Sequence, residues 1–214
     1  MVESTAMSKE KKTKKSLISA ATDLFAKKGY NGTSVRDIAK LTGKTAYNTY
    51  YHFGSKDGLL LAVLSALTSD LLTNFQRVSK FELPPLERFK ELIKIHLKGV
   101  IKNRKRGNLL FLDENVLTPA ANKHNKEFQR GILDIYRREL MNLQKAGYLR
   151  SKNITILALN VLGTIQWHFR WYKPKGRLSL DEVIDEAISF ILNGILRESE
   201  TKRVSTKRHK VRIN

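Results

Sequence analysis

The stretch from Thr33 to Lys56, TSVRDIAKLTGKTAYNTYYHFGSK, decides how the chain is read. Two short helices around a tight turn fit it. Val35 to Thr42 carries the apolar pair Ile38 and Ala39, and Gly43 follows four residues after Ala39. A small Ala lets a second helix approach, and Gly takes the backbone angles a turn needs. Thr33 or Ser34 can cap the first helix, with Asp37 as the acidic residue of its opening turn. The second helix, Thr45 to Phe53, carries Tyr47, Asn48, Tyr50, Tyr51 and His52, groups that reach phosphates and base edges. Laid in the major groove, such a helix reads bases while its flanks hold phosphates. Lys56 opens the next helix, where the positive end of the helix dipole adds to the attraction for phosphate.

Outward from this stretch the pattern is helical. Leu17, Ala21, Leu24 and Phe25 share one face of a helix over Lys14–Lys28, ended by Gly29. Residues 1–12 are polar and are expected to be a disordered basic arm, either touching DNA or simply a loose tail. Ser55 caps a long helix from Lys56 to about Phe81, with Leu59, Leu60, Val63, Leu64, Leu67, Leu71 and Leu72 at helical spacing. Its first half should pack on the DNA reader and its second half on another domain, making it a lever between them. Pro84-Pro85 breaks the chain. Helices are then expected over Leu86–Asn103, Leu109–Leu117 (stopped near Pro119) and Lys126–Ala146.

Ile154 to Tyr172 shows two apolar stripes, one through Leu157, Ala158, Val161 and Ile165, the other through Ile156, Leu159, Gly163 and Trp167. Ser179–Arg197 repeats the theme, with Ile184, Ile188, Ile191 and Ile195 beside Val183, Ala187 and Leu196. A helix that is apolar on two sides is buried on two sides. These last two helices therefore predict a homodimer built on a four-helix interface. Residues 198–214 are basic without periodicity and are expected to form a tail. No strand pattern is visible. The fold class is all-α: a three-helix helix-turn-helix domain over residues 13–58, then a helical ligand-binding and dimerisation domain over 59–197.

Composition bounds the function. In 214 residues, 41% are hydrophobic, which suits a folded protein. No apolar run approaches the roughly 18–20 residues of a membrane span, and no signal-peptide core is present. There is no Cys, so disulfides and thiolate metal sites are excluded, and the cytoplasm is the default compartment. The net charge of +20 favours a polyanionic partner, nucleic acid first. About +6 lies in residues 1–58 and about +14 in the rest, which is either a solvated basic surface or a mark of a second anionic partner. Enzyme chemistry finds no support. There is no phosphate-cradling Gly loop and no nucleophile elbow, and His52, His96, His124, His168 and His209 lack metal spacing.

Ala21, Leu24, Phe25, Gly29, Tyr30, the run Thr33 to Ala39, Gly43, and Tyr50-Tyr51-His52-Phe53 with Ser55-Lys56 resemble the DNA-binding domain of the TetR family of bacterial repressors. Three positions depart from the family: Lys44 and Thr49 stand where aliphatic residues are usual, and Tyr47 where a small one is. The resemblance implies contacts to double-stranded operator DNA from Thr33, Ser34, Arg36, Tyr47, Asn48, Tyr50, Tyr51, His52 and Lys56. Thr33 or Ser34, Tyr51 and Lys56 would hold phosphate. Arg36, Asn48 and Tyr47 would read bases, Asn pairing well with adenine. Tyr50 and His52 could equally be structural.

The C-terminal half resembles the members of that family that regulate fatty-acid and steroid degradation in response to acyl-CoA thioesters. Trp167, Arg170-Trp171-Tyr172, Pro174, Gly176, Leu178-Ser179 and Asp181-Glu182 carry this likeness, with Glu114–Pro119 and Tyr136. It implies a ligand-responsive repressor released from its operator by an acyl thioester. An apolar tube would draw on Leu109, Phe111, Tyr136, Leu143 and Trp167, and cations at its mouth on Arg104, Arg106 and Arg170. The alternatives are a repressor sensing another hydrophobic small molecule, or an architectural DNA-binding protein without a ligand. No cofactor is expected.

Overall fold

A computed structural model describes residues 2–102, 109, 117–173 and 176–198 of the chain. Among the described residues it holds eight helices. They are α1 (Val2–Lys28), α2 (Val35–Thr42), α3 (Ala46–Phe53), α4 (Lys56–Val78), α5 (Pro85–Lys102), α6 (Pro119–Lys145), α7 (Ile154–Trp171) and α8 (Leu180–Ile195). The described residues contain no strand, only an isolated antiparallel bridge between Leu149 and Leu196. The chain divides into two compact units. The first comprises residues 1–70 and 103–129, and the second 71–102 and 130–214. Both α4 and α6 begin in the first unit and end in the second.

Several helix starts are set by local chemistry. Ser34 caps α2, accepting a hydrogen bond from the Asp37 N–H (3.1 Å) while its own N–H donates to the Asp37 carboxylate (3.0 Å). Thr45 and Asn48 make the same reciprocal pair at α3, and Ser179 and Glu182 at α8. Each such pair satisfies two helix-end N–H groups that would otherwise be orphaned, a cap contributing about 1 kcal/mol. Ser55 accepts from the Gly58 N–H (2.9 Å) at the start of α4.

The first unit's core joins Leu17, Ala21 and Phe25 of α1, Ile38 of α2, and Leu59, Leu60, Val63 and Leu64 of α4, all nearly without exposure, with Leu109, Leu117 and Ala121. In the second unit α7 and α8 both pack on α5 and on each other. Its interior includes Phe89, Ile93 and Leu97 of α5, Tyr136, Leu140 and Leu143 of α6, Val161 and Ile165 of α7, and most of one side of α8.

Four expectations are corrected. Residues 2–12 continue α1 rather than forming a disordered arm: no Gly or Pro interrupts the run, and a Glu10–Lys14 pair (3.7 Å) stands one turn apart. The long helix expected over Lys126–Ala146 starts earlier, at Pro119, where the missing N–H of a first-turn proline costs nothing, and the helix expected over Leu109–Leu117 lies outside the described residues apart from its two end residues. One helix, α4, is long and apolar enough to cross a membrane by length and composition. Its Leu59, Leu60, Val63, Leu64, Phe75 and Val78 are core residues, which gives those apolar positions a place inside the protein. The two stripes of α8 both turn inward, from Val183 through Ile195, leaving Phe190 as its large exposed apolar residue. The expected tail, residues 198–214, lies outside the described residues apart from Glu198.

Candidate nucleic-acid interface

The geometry of the turn follows from Gly43. It sits at φ 64°, the left-handed region that an L side chain enters at a cost, and its N–H caps the carbonyls of Ala39 and Lys40. Lys44 then donates to the Ala39 carbonyl at 2.9 Å, completing the cap and swinging the chain into Thr45. Buried Ala39 and fully buried Ile38 hold α2 in the core. On α3, Thr49 faces inward with no exposure. The opposite face of α3 is left to solvent.

That outer face is aromatic and hydroxylated. Tyr47 is 71% exposed, Tyr51 66% and Tyr50 51%. Tyr47 and Tyr51, one turn apart, stack at 6.1 Å with planes 29° apart. Arg36, Lys40 and Lys44 are exposed around the α2–α3 turn. No acidic residue occurs between Thr45 and Lys56. Asp37, nearby on α2, is held by its hydrogen bonds from the Ser34 hydroxyl and N–H, which lower its pKa from the usual carboxylate value. The surface thus offers cations and phenolic hydroxyls to a polyanion.

Lys56 begins α4 with its ammonium 4.2 Å from the centre of the Tyr30 ring. The Tyr30 hydroxyl donates to the Asp57 carboxylate. Burial first, and Asp57 second, push the Tyr30 pKa up, so the phenol keeps its proton. The end of α1 is thereby tied to the first turn of α4, and Lys56 is held by a cation–π contact. Gly58 lies in the same turn. A Cβ there would stand 2.0 Å from the Phe53 carbonyl oxygen, so α3 and α4 meet backbone to backbone. Nothing in the spacing of the sequence singled out Gly58.

The nine expected DNA-contact residues separate. Ser34, Arg36, Tyr47, Tyr50 and Tyr51 are exposed, and Asn48 and Lys56 are half-buried beside them. Thr33 is buried, and its hydroxyl donates to the Gly29 carbonyl at 2.9 Å. It fastens the α1–α2 corner and has no free hydroxyl hydrogen for a phosphate. The His52 side chain is 5% exposed, with Nδ1 3.8 Å from the Glu10 carboxylate of α1. Of the two roles open to His52, packing is the one its burial fits. Asn48 is committed on one side. Its Oδ1 accepts from the Thr45 N–H (3.1 Å) and the Thr45 hydroxyl (2.9 Å). Exposed Lys40 and Lys44 were not singled out as contacts by spacing, though a Lys beside a helix-turn-helix turn is a signal for one.

The expected ligand residues fall in both units and partly outside the described residues. Arg104, Arg106 and Phe111, and the Arg170 side chain, lie outside the described residues. Leu109 belongs to the core of the first unit. Tyr136 and Leu143 are fully buried in the second. The Tyr136 hydroxyl is 2.9 Å from His96 Nδ1, a pair ringed by Phe75 and Phe89. Burial pushes the Tyr136 pKa up and the His96 pKa down to about 3, so both are neutral. Trp167 is 62% exposed on α7 rather than inside a tube. It borders a groove of about 560 Å³ between α7 and α8, with Trp171, Leu178 and Phe190.

Comparison with known proteins bears on both units. Residues 17–63 match the family described as bacterial regulatory proteins, tetR family, and residues 82–195 match the tetracyclin repressor-like, C-terminal domain. The chain belongs to the TetR family. It is a DNA-binding transcriptional repressor of that family and not an enzyme. It is 25% identical over 183 residues to the HTH-type transcriptional repressor KstR2 of Rhodococcus jostii, covering 84% of this chain and 89% of that one. A TetR/AcrR-family regulator from Thermobifida fusca is 31% identical, with TM-score 0.71 over 85% of this chain and 97% of that one. The fold is shared too with AibR, solved in complex with isovaleryl coenzyme A and operator DNA. That TM-score is 0.73 at 24% identity, over 83% of this chain and 97% of that one.

Proposed function

We propose that this TetR-family repressor acts in the cytoplasm as a homodimer on a near-palindromic operator and leaves it on binding an acyl thioester of coenzyme A. The observation that carries the choice of effector is the shared fold with AibR, solved in complex with isovaleryl coenzyme A and operator DNA; the direction of the effect is what the titration below decides. The likeness to the transcriptional repressor KstR2 over most of both chains supports the repressor half of the reading. The helical unit is apolar enough to take an acyl chain, and a chain of net charge +20 suits the phosphates of coenzyme A. The dimer rests on α7: Ile156, Leu159 and Trp167 are more than half exposed on one side of that helix. A large apolar face left to water is the mark of an interface. Two readers related by a two-fold axis then address two half-sites about one or more helical turns apart.

The mechanism is linkage between two sites. Ligand in the second unit displaces the α4 helix that both units share, and the two readers cease to fit successive grooves. Reciprocity requires operator DNA to weaken ligand binding by the same factor. The test is a titration of the protein on the DNA upstream of its own gene, with acyl-CoA esters of increasing chain length. Free fatty acids and free coenzyme A are the controls. Release by a thioester, and by neither half alone, is the expected result. Specific binding that no thioester alters would keep the repressor and discard the thioester.

A further inference from the structure

We propose that α3 reads its half-site through hydrogen-bond acceptors and methyl groups on the base edges, with Asn48 acting as a donor only. The inference rests on the repressor reading above and specifies which chemistry the operator must present. Asn recognises adenine by a two-point contact, its amide N–H donating to N7 and its carbonyl accepting from the N6 amino group. In this protein the carbonyl is already engaged. Asn48 Oδ1 accepts from a backbone N–H at 3.1 Å and from a hydroxyl at 2.9 Å, both on Thr45. Two donors fill the two lone pairs of a carboxamide oxygen. An adenine N6 amino group would have to displace one of them and open the cap of the reading helix. The half of Asn48 that remains is Nδ2, which can meet a purine N7, a guanine O6 or a thymine O4.

The surroundings have the same polarity. No carboxylate occurs on α3, and the exposed side chains beside it are Arg36, Lys40 and Lys44. Cytosine shows an amino donor in the major groove and is read by acidic acceptors; α3 carries none, and Asp37 on α2 is engaged by the Ser34 N–H and hydroxyl. The stacked Tyr47 and Tyr51 rings present an apolar surface that suits the thymine methyl. The contacted strand is therefore expected to be rich in guanine and thymine.

The experiment selects a preferred duplex from random DNA with the full-length protein and then replaces bases one at a time. Deoxynebularine removes the adenine amino group, 7-deazapurines remove N7, 4-thiothymine weakens O4 and deoxyuridine removes the thymine methyl. Each duplex is measured against the wild type, Asn48→Asp and Asn48→Ala. Asn48→Asp keeps the acceptor for the Thr45 N–H and lacks the amide donor, and Asn48→Ala removes the donor without adding charge. Deoxynebularine should cost less than twofold at every adenine. At least one 7-deazapurine or 4-thiothymine should cost about tenfold, and that loss should vanish in both variants. A tenfold loss on deoxynebularine that vanishes in the variants would overturn the proposal, as would the lack of any position coupled to Asn48. A library with no preferred sequence would instead overturn the repressor reading itself.

Discussion

Both α3 and α7 expose large aromatic residues, and the two faces are built for different partners. On α3 the exposed rings are Tyr47, Tyr50 and Tyr51, each with a hydroxyl, beside Arg36, Lys40 and Lys44. On α7 the exposed residues are Ile156, Leu159, Trp167 and Trp171, and the two tryptophans border a groove that Leu178 and Phe190 line on the other side. A ring that carries a hydroxyl can leave water for a phosphate or a base edge and keep its hydrogen bonds. An aliphatic stripe gains only from another apolar surface. Exposure alone therefore does not name the partner; the polar groups interleaved with the exposed rings do.

The sharpest way to break this comparison is to place charge on the α7–α8 face. Leu159→Glu with Phe190→Glu should convert the dimer to a monomer in sedimentation and lower operator affinity by about 100-fold or more, because the second half-site contact ceases to be intramolecular. Both residues are more than half exposed, so the melting temperature of the subunit itself should change little. A doubly substituted protein that stays dimeric with full affinity would move the interface elsewhere.

The two units also differ in how they treat buried polar groups, and pH separates them. In the second unit His96 is paired with Tyr136 and held neutral by burial, with its pKa lowered to about 3. An unfolded His titrates near 6.5. The unfolded chain therefore binds more protons than the folded one between those values. The contribution of His96 is fully present above about pH 6.5 and is lost as pH falls toward 3. Stability should drop by about 2 kcal/mol between pH 7 and pH 5, measured by denaturant unfolding. His96→Gln, which keeps a hydrogen-bonding partner for Tyr136, should flatten that slope. An unchanged slope in the variant would mean that His96 is not the group that titrates.

What the sequence made legible was what is local. Ser34 with Asp37, and Ser55, are caps that lie within three residues of their partners, and Gly43 marks its turn by residue type. The α7 stripes are read from periodicity, and burial divides them as expected: Leu157, Ala158, Val161 and Ile165 inward, Ile156, Leu159 and Trp167 outward. Long-range facts were hidden. His96 and Tyr136 are 40 residues apart, and no spacing rule joins them. The same helical period on α8 predicts an outward stripe, yet neighbours cover both sides of that stripe. Thr33 and Ser34 were equivalent cap candidates by type. The fold separates them by burying Thr33, whose hydroxyl turns back to the Gly29 carbonyl.

The smallest expected effect concerns Thr49, the buried counterpart on α3 of the His96–Tyr136 pair. Its side chain has no exposure, and its hydroxyl has no hydrogen-bond partner among the described residues. A buried hydroxyl left unpaired costs about 1–3 kcal/mol. Thr49→Val keeps the branched shape and removes that polar atom, so the protein should gain about 1 kcal/mol, a rise of a few degrees in melting temperature. Operator affinity should stay within twofold, because Thr49 faces the core while Tyr47, Asn48 and Tyr51 face out. The two readouts separate two accounts of the same residue. A stabilised protein with unchanged affinity makes Thr49 a packing compromise inside the reader. A loss of affinity would mean that α3 rotates on DNA and brings the hydroxyl to a phosphate, so that the outward face seen on free α3 is not the face that reads.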